Sequence, residues 1–304
     1  MRLLNKIHSA VLLAGLGLLT GCDQQLTAEQ ETQKQQLIDD LLNNMVFIEG
    51  GTFLMGDFGS GHDGKSTLPY SIGKDNKFVH DVTLDNFSLS KYRVTWGQFN
   101  LWRELTGQPL TEKYQKLKTR YRLKDWQAST QDNYPASADW QDAKDYCLWL
   151  GQQTGLPVDL PTEAQWEYAA RNRGQFILFA SKDGTYNKIS SENPNNSGEA
   201  LFAAGFYPIG SYPPTPLGLY DMMGNGLDWT NDWYAAGYYE HSPSKNPQGP
   251  EQGTEKVARG SVSSAIRETL TIIRAPRPLI NGNIPTLGFR CAVQSSTPVQ
   301  PVAK

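Results

Sequence analysis

The chain has 304 residues, 38% hydrophobic and 19% charged, with a formal net charge of −3. Its middle stretch of about 250 residues can bury a substantial core as one large domain or two small ones. A mildly acidic chain with no Lys/Arg cluster is poorly suited to gripping phosphate backbones, which argues against nucleic acid as a partner.

The N-terminus carries Arg2 and Lys6, then an apolar run from Ala10 to Leu19 broken by glycines, then Leu19-Thr20-Gly21-Cys22. The run is too short to span a bilayer and has the layout of an export signal over residues 1–21. The last four residues resemble a bacterial lipobox, in which the Cys22 thiol takes a lipid; an ordinary cleaved signal with an incidental cysteine is the alternative. Loss of Arg2 and Lys6 with the leader takes the charge from −3 to −5. Residues 22–44 read as a polar, Gln- and Glu-rich tether, with Leu37, Ile38, Leu41 and Leu42 spaced as one helical stripe near its end. Asp23 resembles an inner-membrane retention signal if the host is Gram-negative. The expected location is therefore the cell envelope, facing the periplasm, with the bilayer as a partner through acylated Cys22.

From Met45 the chain reads as short strands and turns. Val46-Phe47-Ile48, Gly50-Gly51 and Thr52-Phe53-Leu54-Met55 predict a hairpin, because paired glycines tolerate a tight turn. Phe78 to Leu89 alternates in the same way. Trp140 to Leu150 and Thr162 to Arg171 have helical periodicity, the second with Pro161 and Thr162 at its start and Glu163 in its first turn. Gly174 to Pro216 is rich in Gly, Asn, Ser and Pro and predicts a long ordered loop. Residues 294–304 lack periodicity and predict a frayed tail. With Cys22 lipidated, Cys147 and Cys291 remain; an oxidising compartment favours a disulfide between them, with two buried free thiols as the alternative.

Gly50-Gly51-Thr52-Phe53-Leu54-Met55-Gly56, Val94-Thr95, Leu160-Pro161-Thr162-Glu163-Ala164 through Arg171, Gly218-Leu219-Tyr220-Asp221-Met222, Asn246-Pro247 and Gly288-Phe289-Arg290-Cys291 stand in one order along the chain. Together they resemble the formylglycine-generating enzyme, or sulfatase-modifying factor, domain from about Met45 to Val293. The resemblance implies an irregular mixed α+β fold related to C-type lectins, with little regular secondary structure. It also implies a Cys147–Cys291 bridge.

The family's oxidase uses monovalent copper, which requires two soft thiolates. Aligned without a gap on Gly260-Ser261 and Arg277, this sequence places Ser264 and Thr269 at the copper positions, so copper binding is not expected. The ergothioneine branch uses iron on closely spaced histidines, whereas His62, His80 and His241 are scattered. The pyoverdine-maturation branch does not depend on the copper pair, which leaves a different oxidation open. Calcium is the better cofactor candidate: in the family, the loop matching Gly224, Asn225, Gly226 and Asp228 supplies carbonyls and a carboxylate, although Asp228 and Leu227 stand where Glu and Trp are usual. Asn195 and Asn196 match the family's other calcium site, whose partner loop is shortened.

Gly59-Ser60-Gly61-His62-Asp63-Gly64-Lys65-Ser66 fits a phosphate-binding loop pattern, but Pro69 obstructs the helix that must follow, so no nucleotide partner is expected. Among the aromatics, Trp229 reads as core, Trp233 and Tyr234 as core or groove lining, and the Tyr238-Tyr239 pair as a surface for a ligand. Arg267, Arg274 and Arg277 lie beside the copper positions, available either to a ligand carboxylate or to structural ion pairs. The combined expectation is a non-catalytic, membrane-tethered domain that recognises a periplasmic protein or peptide. Because related domains recur near secretion and toxin–immunity loci, a role there is a sub-reading. The alternative is an oxidase acting on a protein or peptide.

Overall fold

The computed structural model describes residues 26–62, 68–120, 129–185, 207–261, 269–280 and 287–302. The leader, Cys22, Asn195, Asn196, Ser264 and Arg267 lie outside them. Helix α1, Ala28–Asn43, starts at a reciprocal capping box in which Thr27 and Gln30 satisfy each other's backbone N–H groups. Leu37, Ile38 and Leu41 are buried on its inner face, and Leu42 packs beside them. The stripe expected near the end of the polar stretch is thus on a packed helix, which begins already at residue 28.

Strands β1 (Met45–Ile48), β4 (Phe87–Ser90), β10 (Ala292–Val293) and β5 (Val158–Asp159) form one antiparallel sheet in that order. Strand β2 (Gly51–Met55) pairs with β3 (His80–Leu84) in a separate two-stranded sheet, in register from Gly51 opposite Leu84 to Met55 opposite His80. The hairpin expected between residues 46–48 and 52–55 does not form, since β1 and β2 take partners in different sheets. Neither Gly50 nor Gly51 adopts positive φ. Glycine serves Gly50 through close approach: a Cβ there would meet the Leu84 carbonyl oxygen at 2.1 Å.

Two further helices, α2 (Trp96–Leu105) and α3 (Glu112–Arg120), follow. The two anticipated helices are α4, Trp140–Thr154, and α5, Glu163–Ala170, the latter capped by Thr162 and Gln165. A second four-stranded sheet runs β8 (Ala275–Pro278), β7 (Glu255–Ser261), β6 (Gly226–Trp233), β9 (Leu287–Gly288), with β9 parallel to β6. The described parts of the Gly174 to Pro216 stretch contain no helix or strand.

Two large clusters form the core. One joins α1, α2 and α4 through Trp96, Phe99, Trp102, Tyr146 and Phe289; the other packs Phe53, Phe87, Trp166 and Tyr168 under α5. Cys147 on α4 is bonded to Cys291 at 2.00 Å, 144 residues away. Closing a loop of that length in the unfolded chain contributes about 5 kcal/mol in the chain-entropy estimate. The segment after β10 is mostly exposed but touches the domain at three points: Gln294 pairs its amide with Gln165, Val299 packs on the core, and the Val302 N–H donates to Asn43 Oδ1 at 3.1 Å. No described helix is long and apolar enough to cross a membrane.

Candidate functional site

The second sheet and α5 enclose a buried network of ion pairs. Glu163 and Glu167 on α5 and Arg171 at its C-cap recur at i, i+4 spacing, which aligns them on one face. That face lies against β7, whose Arg259 donates to Glu163 Oε1 and to Glu167 Oε2, both at 2.8 Å. Arg274 clamps Glu163 from the other side with Nε at 2.7 Å and Nη2 at 3.0 Å, and the Tyr239 hydroxyl completes the shell at 3.0 Å. Burial alone would raise the Glu163 pKa, but the charges of Arg274 and Arg259 outweigh it and hold the carboxyl below its usual range. Arg171 binds Glu167 at 2.8 Å and the Leu54 carbonyl at 2.7 Å, tying α5 to β2.

A second knot centres on Asp228 of β6, which faces Arg259 across the ladder. Arg93 Nε reaches its Oδ1 at 2.7 Å, while Arg290 Nε at 2.8 Å and Trp166 Nε1 at 2.9 Å reach Oδ2. Burial again opposes ionisation, and Arg290 and Arg93 reverse it. Arg93 continues to the carbonyls of Gly224 and Gly226 at 3.2 and 2.5 Å. The Asn225 side chain bonds the Tyr207 and Pro208 backbone.

These contacts bear on how calcium would fit the expected residue set. A calcium ion needs six to eight oxygens with exposed lone pairs. Here a guanidinium already occupies the position facing the Gly224 and Gly226 carbonyls and the Asp228 carboxylate, so Gly224, Asn225, Gly226 and Asp228 do not fit a dication in this geometry. Shortening Glu to Asp leaves a carboxylate that two arginines neutralise. Among the described residues, no group of three or more His, Cys, Asp or Glu is placed to hold a metal ion. The copper donor set fits no better: Thr269 is a buried hydroxyl, and both cysteines of the domain are consumed by the disulfide.

The other anticipated residues separate. Trp229 is core, its indole N–H donating to the Ala138 carbonyl at 2.9 Å. The Tyr238-Tyr239 surface is not formed: Tyr239 is 2% exposed, edge-on to His80 and bound to Glu163, and Tyr238 is half-buried against the second core cluster. The short 3-10 turn Tyr238–Glu240 turns Tyr239 inward, towards a carboxylate its hydroxyl can serve. Arg274 belongs to the Glu163 pair and is not available to a ligand. Arg277 is half-buried in β8 opposite Lys256, with its Nη1 on the Pro276 carbonyl. At the phosphate-loop look-alike, the Gly59 N–H donates to the Asp57 carboxylate, which also collects the N–H groups of Tyr70 and Ser71. An anion of the chain itself therefore organises that turn, and no helix follows it among the described residues.

Several central groups carry no local signal in the sequence. Asp232 accepts the Glu163 N–H at 2.7 Å in full burial, and burial together with the neighbouring Glu163 charge pushes its pKa up to about 8. Lys256 lies between the Trp140 and Trp233 rings, 4.0 and 3.8 Å from their centroids, and burial brings its pKa down to about 8. The Glu163, Glu167, Arg171 spacing was a readable signal; the partnership of Arg93 with Asp228, 135 residues apart, was not.

Fold and site together define an irregular α+β domain, cross-linked once and organised internally by arginine–carboxylate pairs. The model of the sulfatase-modifying factor enzyme 1-like domain matches residues 29–295, and the chain belongs to that formylglycine-generating-enzyme family. The match begins within the first turn of α1. Over 277 residues the chain is 32% identical to the serine/threonine-protein kinase Pkn1 of Chlamydia trachomatis, covering 87% of this chain and 40% of the relative. It is 26% identical over 302 residues to the formylglycine-generating enzyme of Streptomyces coelicolor, covering 81% of this chain and 88% of that enzyme. Among solved structures, PvdO from Pseudomonas aeruginosa is similar with a TM-score of 0.62 at 25% identity, covering 83% of this chain and 94% of that one. The chain spans about two fifths of the length of its kinase-named relatives.

Proposed function

We propose that this chain is a non-catalytic member of its family, held to the envelope through acylated Cys22 and recognising a periplasmic protein or peptide. The carrying observation is sulfur accounting: the sequence has three cysteines, and the two inside the domain are bonded to each other. Copper(I) chemistry needs two thiolates, and hydroxyls such as that of Thr269 do not replace them. The arginines nearest that region support the same reading, because Arg259 and Arg274 are spent on Glu163 and Glu167 and offer no spare charge to a reacting group. An Asp at position 23 favours the inner membrane in a Gram-negative host.

The test is oxygen consumption by the purified chain, supplied with copper and a cysteine-containing peptide. No uptake above the protein-free rate is expected. Sustained uptake with conversion of the peptide cysteine would overturn the proposal in favour of an oxidase acting on a protein or peptide.

A further inference from the structure

A cleft of about 680 Å³ opens where the edge of the first sheet meets the N-terminus of α5 and the loop after the 3-10 turn. Four distant parts of the chain build it: the β3–β4 turn, β5 with the start of α5, the end of β6 with the 246–248 loop, and the segment after β10. Its volume lies in the range of small-molecule sites. None of the anticipated site residues lines it.

Ten of the twelve lining residues are polar, and six of those ten are asparagine or glutamine. The other two, Leu84 and Leu160, are buried at 4% and 0% exposure and offer no open apolar pocket. The two carboxylates are balanced: Asp159 is held by Lys144 at 2.6 Å, and Asp85 has Lys245 at 3.5 Å. The lining therefore carries almost no net charge, and it lacks both the unpaired cation that an anionic ligand requires and the hydrophobic pocket that would anchor a peptide side chain.

All the lining amides except Gln248 are also fixed in direction. Asn86 accepts the Gly50 N–H at 2.9 Å and donates to the Ser296 carbonyl at 3.1 Å. Gln165 and Gln294 pair reciprocally at 2.6 and 3.2 Å. Asn231 accepts from Lys144 Nζ at 2.9 Å, which leaves its Nδ2 group without an acceptor among the described residues. Gln248, exposed at the mouth, makes no hydrogen bond among the described residues. Fixed amides, each both donor and acceptor, suit hydroxyl groups, which also donate and accept. Because all of these but Gln248 are already held in place, binding costs ordering entropy mainly at that side chain.

We propose that this cleft binds a neutral, hydroxyl-rich ligand of the carbohydrate class, with Asn231 and Gln248 supplying direct hydrogen bonds and the Asn86 and Gln165–Gln294 amides forming the pre-set wall. The site is separate from the disulfide and the arginine–carboxylate network, so it stands or falls independently of whether the domain is an enzyme.

The experiment is equilibrium binding of the full chain to neutral tetrasaccharides of glucose, N-acetylglucosamine, mannose and galactose, with hydrogen exchange locating the contact. Saturable binding of at least one sugar is expected, with protection confined to peptides that carry the cleft lining, at residues 84–86, 159–165, 231, 246–248 and 294–296. Gln248→Ala and Asn231→Ala should each weaken it roughly 2- to 10-fold, the range for one lost hydrogen bond. Gln248 is exposed, so its variant keeps the test informative if the Asn231 variant unfolds. Failure of all four sugars to bind would overturn the proposal, as would protection elsewhere on the domain, or protection of the cleft by a neutral peptide and by none of the sugars.

Discussion

Replacing Asp232 by Asn should make the domain less sensitive to alkali. Asp232 is fully buried, accepts the Glu163 N–H at 2.7 Å, and carries a pKa raised by burial and by the Glu163 charge from 3.8 to about 8. Between those values the folded state holds a proton that the unfolded state has released. Stability from this group is therefore complete below about pH 4 and is lost as pH rises towards 8. At 1.4 kcal/mol per unit, the loss between pH 5 and pH 8 has a ceiling of about 4 kcal/mol. Asparagine keeps an oxygen for the Glu163 N–H and has no proton to lose. Lys256, whose pKa is brought down to about 8, works in the opposite direction only above that pH, so the comparison stops there. Urea unfolding of both proteins at pH 5, 6.5 and 8 should show the variant gaining on the wild type by about 1–4 kcal/mol across the range. Parallel curves would refute the assignment of a buried, protonated carboxyl at Asp232.

Other substitutions test the rest of the network. Removing the disulfide with Cys147→Ala and Cys291→Ala together should lower unfolding free energy by about 5 kcal/mol, and a urea midpoint nearly unchanged would contradict its structural weight. Tyr239→Phe, which deletes one hydrogen bond to ionised Glu163, should cost about 1.5–3 kcal/mol by the same measurement; a cost below about 0.5 would place that hydroxyl in solvent. Arg93→Met strips one partner from buried Asp228 and should cost about 3–5 kcal/mol. Calcium and chelator should leave the wild-type Tm unchanged through this loop, and a calcium-dependent rise abolished by Asp228→Asn would show that the dication displaces the guanidinium.

Local signals were the readable ones. Helix α5 could be placed from Pro161, Thr162 and Glu163, and the inner stripe of α1 from four leucine and isoleucine positions, because caps and 3.6-residue periodicity are written within a few residues. Helix α2 was equally accessible through the Thr95 and Gln98 capping box, and short-strand patterning around it masked that signal. The Gly50-Gly51 hairpin failed because glycine answers both to positive φ and to crowding, and only the Leu84 carbonyl reveals which applies. The buried pairs were illegible for a different reason: Arg93 meets Asp228, and Arg274 meets Glu163, across more than a hundred residues. The same distance effect hid the contacts of Arg93 with the Gly224 and Gly226 carbonyls.

Tight copper(I) binding requires a thiolate pair, so copper(I) affinity reports most directly whether the domain has one. Competition against a calibrated copper(I) chelator, with the disulfide intact, should show no stoichiometric site and no change when Thr269 is replaced by Ala. One equivalent bound tightly enough to draw the metal from the chelator would contradict the non-catalytic reading.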